Sequence, residues 1–102
     1  MKLYHATRSK HLPAILRDGL LCSKSQGERE VVWATTASNV NWACNHVVMR
    51  HRGRIEDVVV IEIDVPRDWL RKHNGRLWYS VRDIPPSRIG TIRGFSLIAR
   101  AK

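Results

Sequence analysis

Two clusters of basic side chains carry the strongest chemical signal in this 102-residue chain. Arg8, Lys10 and His11 stand together near the start, and Arg50, Arg52 and Arg54 alternate through the middle. A guanidinium fork grips phosphate oxygens in pairs, so both clusters are candidate phosphate- or substrate-binding groups. Trp42, Trp69 and Tyr79 interleave with these bases, a composition that suits stacking on single-stranded nucleic acid and equally suits packing in a core. The chain as a whole has 18 Lys+Arg against 9 Asp+Glu, a net charge of +9, and a pI near 10.6. Such a field attracts polyanions: nucleic acid, a phosphate-rich nucleotide or an acidic protein. Other chemistries leave no pattern: there is no glycine-rich phosphate loop, no Cys-x-x-Cys pair and no His-Glu-x-x-His helix. Cys44 and His46 are close in sequence but lack further ligands at fixed spacing, so no metal is expected.

These residues need elements to position them. Lys2 to His5 alternates as a short strand does, and Thr7 or Ser9 is placed to cap a helix with Leu12, Ile15 and Leu16 on one face. Pro13 either opens this helix in its first turn or bends it, Gly19 stops it, and Leu20-Leu21 returns to the core as a brief extended piece. Val31 to Ala34 reads as a buried strand. Thr36 or Ser38 caps the next helix, whose apolar residues Val40, Ala43, Val47 and Val48 recur at helical spacing until Gly53. Val58 to Val65 opens with β-branched residues and is expected at the sheet centre, ending at Pro66. Arg67 to Lys72 suits a helical turn, and Asn74-Gly75 turns into a strand from Leu77 to Val81. Ile89, Ile92, Phe95, Leu97 and Ile98 then suggest one or two closing strands. This order predicts an α+β fold, one sheet with two main helices packed on it, in a single domain over residues 1–102.

With 43% hydrophobic residues the chain can bury a core without disulfide staples, so Cys22 and Cys44 are expected as free thiols. No apolar run reaches the roughly 20 residues needed to span a bilayer, and Met1 to His5 reads as a strand rather than a signal peptide, so a cytoplasmic protein without a membrane partner is expected.

A series of phrases in fixed order adds a second line of reasoning. Leu3-Tyr4-His5-Ala6-Thr7 is followed by Leu12-Pro13-Ala14-Ile15-Leu16-Arg17-Asp18-Gly19-Leu20-Leu21, then Val32-Trp33-Ala34-Thr35 before a helix, Val58-Val59-Val60-Ile61, and Ile84-Pro85-Pro86-Ser87-Arg88-Ile89. Together they cover nearly the whole chain. The layout resembles the ADP-ribosyltransferase-like fold family, closest to the catalytic lobe of the tRNA 2′-phosphotransferases and to the toxins that ADP-ribosylate DNA.

The resemblance implies a compact split β-sheet core, NAD as substrate or ligand, and a nucleic-acid or phosphorylated acceptor. It places His5 on a ribose hydroxyl, the backbone of Ala6 against the nicotinamide amide, Thr7 in support of the turn, and Trp33 stacked on nicotinamide. An indole suits a flat cationic ring at least as well as a phenol does. At the third motif position, where many transferases of the fold carry a catalytic Glu, Trp78 stands between Leu77 and Tyr79, and it joins His5, Ala6, Thr7 and Trp33 as an expected cofactor-binding residue. Arg8, Lys10, Arg50, Arg52 and Arg54 are then the candidates for holding the acceptor. Two functions follow: an NAD-utilising transferase, or a nucleotide- or nucleic-acid-binding module without chemistry, which the missing carboxylate favours.

Overall fold

Why a short chain with few long apolar runs folds is answered by one strand buried on both faces. In the computed structural model, which describes residues 1–25, 29–51, 54 and 57–94, β3 (Val58–Asp64) buries Val58, Val59, Val60, Ile61 and Ile63. Alternation sends Val59, Ile61 and Ile63 to one face, where they join Leu3, Ile15, Val32, Ala34 and Ile84, and sends Val58 and Val60 to the other, where they meet Val40 and Cys44. A helix covers each face: α1 (Leu12–Asp18) inserts Ile15 into the larger cluster, and α2 (Val40–His51) lays Val40, Cys44, Val47 and Val48 over the smaller one.

The remaining strands are β1 (Lys2–Arg8), β2 (Val32–Thr35), β4 (Leu70–Lys72), β5 (Leu77–Ser80) and β6 (Ile89–Gly94). The order across the sheet is β4-β5-β2-β1-β3-β6, every neighbouring pair antiparallel. The α+β class and the two packed helices are as expected. β1 and β2 form the inner pair, however, and β3 lies between β1 and β6; its β-branched run reflects burial on both faces rather than a central place. β1 also runs on to Arg8, which puts Thr7 inside the strand. Ser9–His11 forms a 3-10 turn into α1, and no side chain caps either element. Leu16 is 52% exposed instead of sharing the face of Ile15, because a helix of seven residues turns only a narrow stripe to the sheet.

Between Arg67 and Lys72 the expected helical turn is confined to Arg67–Trp69; from Leu70, which is buried, the chain pairs with β5 as an edge strand. Asn74 fixes the turn, its Oδ1 accepting the backbone N–H of Arg76 at 2.8 Å and of Leu77 at 2.9 Å. Gly53, Phe95, Leu97 and Ile98 lie outside the described residues. The two cysteines are free, and the sheet separates them: Cys22 packs on the α1 side and Cys44 beneath α2. Among the described residues no helix is long and apolar enough to cross a membrane.

Candidate functional site

The inner pair of strands is joined over a short length only. β1 pairs with β3 through all seven of its residues but with β2 through Tyr4 and Thr35. Beyond that point the strands part, and a cleft of about 560 Å³ opens there, lined by His5, Ala6, Thr7 and Arg8 from one strand and Val31, Val32 and Trp33 from the other. This volume lies within the range of small-molecule and cofactor sites. α1 and the chain after it supply a second wall through Ile15, Arg17, Asp18, Gly19 and Leu20, and the end of α2 supplies His46, Val47 and Arg50.

His5 bridges the parted strands. Its Nδ1 lies 2.6 Å from the carbonyl oxygen of Trp33. A carbonyl only accepts, so Nδ1 carries the proton and donates, which leaves Nε2 as an acceptor in the neutral ring. Burial pushes the imidazole below its ordinary pKa, outweighing the upward effect of that backbone bond, so the neutral form is the one present at pH 7. His11 is also lowered, by partial burial and then by the charges of Arg8 and Lys10.

The cleft is cationic. Arg8, Arg17, Lys24 and Arg50 line it, against the carboxylate of Asp18, which Arg17 holds at 2.9 Å. Arg8 Nε is buried without a hydrogen-bond partner among the described residues. An unpaired buried guanidinium nitrogen costs free energy.

Trp33 lines the cleft while its indole packs edge-on against Tyr79, at 5.3 Å between centroids, and His73, at 5.2 Å. Tyr79 is its register partner on β5. Trp78, one residue earlier, therefore projects from the opposite face, packs on the larger core cluster and stands outside the cleft. Of the expected site residues, then, His5, Ala6, Thr7, Arg8, His11, Trp33 and Arg50 come together. Lys10 is exposed on the turn before α1, Arg54 is exposed and does not line the cleft, and Arg52 lies outside the described residues. Arg17 and Lys24 join the lining without having been singled out as site residues, and His46, weighed in the sequence only as a metal ligand, joins it too. Cys44 and His46 do not converge: the thiol is buried in the core, and the imidazole stacks on Trp42.

Neither of the other nearby carboxylates enters the cleft. Glu62 lies on the α2 side, 3.8 Å from Lys2 Nζ, and Asp83 accepts the backbone N–H of Cys22 at 2.7 Å. No protein-family model and no curated protein matches the chain, so the function is argued from this geometry.

Proposed function

We propose that this protein binds NAD in the cleft between β1 and β2 and is an NAD-utilising transferase of the ADP-ribosyltransferase-like fold, acting on a nucleic-acid or phosphorylated acceptor. The observation that carries the reading is His5, held in one tautomer by the Trp33 carbonyl where the two strands part, with a bare Nε2 left to accept a ribose hydroxyl. Three features support a dinucleotide: the cleft has the volume, Trp33 is among its lining residues, and Arg8 brings a cation for a phosphate oxygen. NAD supplies an ADP-ribosyl group whose C1′ bonds to the acceptor as the bond to nicotinamide breaks, nicotinamide leaving with the electron pair. The chain's own part is to position and neutralise. His5 orients the sugar, the backbone beside Ala6 allows close approach, and Arg8 and Arg50 set positive charge where phosphates gather.

A second reading rests on a specific observation. Among the described lining residues the carboxylate is Asp18, exposed and paired to Arg17, so no acidic group stands free to orient a nucleophile. In that reading the fold binds a nucleotide or nucleic acid without turnover. Incubation with adenine-labelled NAD and a mixture of RNA carrying a 2′-phosphate, DNA and protein separates the two. Transfer of label or release of nicotinamide is expected of the transferase, and binding without either is expected of the module. Absence of any NAD binding refutes the cleft assignment.

A further inference from the structure

A second basic surface lies beside the cleft and shares no residue with its lining. Trp69 and Trp78, both half-buried, pack from the α1 side onto the same core cluster. Each indole has two cations near its ring: Arg82 at 5.5 Å and Arg88 at 5.7 Å from the centroid of Trp69, Arg67 at 5.6 Å and Lys72 at 5.9 Å from that of Trp78. All four cations are exposed, and among the described residues none forms a salt bridge. We infer that this strip, Trp69 and Trp78 with Arg67, Lys72, Arg82 and Arg88, binds a single-stranded nucleic acid, its phosphates on the cations and its bases on the indoles.

The occupant follows from the pairing of charge with flat apolar rings. An acidic peptide would satisfy the cations and leave the indoles unused. A duplex keeps its base faces stacked on one another, whereas a single strand presents both features at nucleotide spacing. The strip also adjoins the cleft. Leu20, in the cleft lining, bridges to Ile84 through two backbone hydrogen bonds of 2.8 Å, and the chain then passes through Pro85 into the turn Pro86–Arg88. A strand lying on the strip is thus led toward the cleft, which takes up the acceptor half of the proposed function.

The test measures binding of fluorescein-labelled twelve-residue oligo-dT and oligo-U to the whole chain by anisotropy, without NAD. Both are expected to bind, more tightly than a twelve-base-pair duplex or polyglutamate. If the four cations each meet a phosphate, the logarithm of affinity falls against the logarithm of salt with a slope of about −3. Reversing the exposed charges in R82E/R88E, and separately in R67E/K72E, is expected to cost at least about tenfold and to flatten that slope. Trp78→Leu is expected to cost about fivefold or more. Circular dichroism shows that each variant is folded, and the surface arginine pairs keep the test open should Trp78→Leu unfold. Single-strand binding unchanged in both charge-reversal variants overturns the inference, as does equal binding of duplex or polyglutamate. Because the assay contains no NAD, its failure leaves the cleft reading standing, and failure of NAD binding leaves this one standing.

Discussion

Replacing Gly19 by alanine probes the joint that holds the cleft wall to the sheet. Gly19 ends α1 at φ 85° and ψ −169°, a region of backbone space that is essentially restricted to glycine. A Cβ built there runs into the carbonyl of Ile84, a backbone atom that cannot swing away as a flexible side chain would. Strain at such a residue costs about 1–3 kcal/mol. Relieving the collision pulls Ile84 from Leu20, and the two hydrogen bonds of that bridge contribute about 0.5–1.5 kcal/mol each. Gly19→Ala is therefore expected to destabilise the protein by about 2–6 kcal/mol, a large share of the roughly 5–15 kcal/mol that holds a domain together. Urea unfolding followed by tryptophan fluorescence measures this. Gly75→Ala is the control, since a Cβ there meets nothing within 4 Å, and its expected effect is within about 0.5 kcal/mol. Equal stability of Gly19→Ala and Gly75→Ala would refute the reasoning.

Two further outcomes are expected. His5 and His11 both titrate below their ordinary pKa of 6.5, so the unfolded chain takes up more protons. The stability they contribute is complete above pH 6.5 and is lost as pH falls below it toward the lowered values; His5→Gln should flatten that fall in denaturation midpoints, and an unchanged profile contradicts the burial of the imidazole. The Cys44 thiol, buried and pushed up to about 12, should resist alkylation at pH 8 while the chain is folded and react on unfolding, whereas the partly exposed Cys22 reacts sooner. Peptide mass spectrometry reads both sites, and fast native labelling of Cys44 would place α2 differently.

Much of the fold was legible because burial writes a period into the chain. Val58 to Val65 could hardly be anything but a strand, and Val40, Val47 and Val48 marked the stripe that α2 lays on the sheet. β4 was not legible: of Leu70, Arg71 and Lys72 only the leucine is buried, so an edge strand looks like part of a polar turn. The site divides in the same way. His5 and Trp33 were reached through the family resemblance, but the bond between them joins a ring to a backbone carbonyl 28 residues away and leaves no mark in side-chain types. The face of β5 that Trp78 occupies depends on register, which a one-residue shift inverts, and here register brings Tyr79 to Trp33 instead.

Calorimetric titration of NAD into the unaltered protein and into His5→Ala tests the cleft most directly. Binding at one site per chain, weakened about tenfold or more in the folded variant, is the expected result. Equal affinity of the two proteins, or no heat from either, would contradict it.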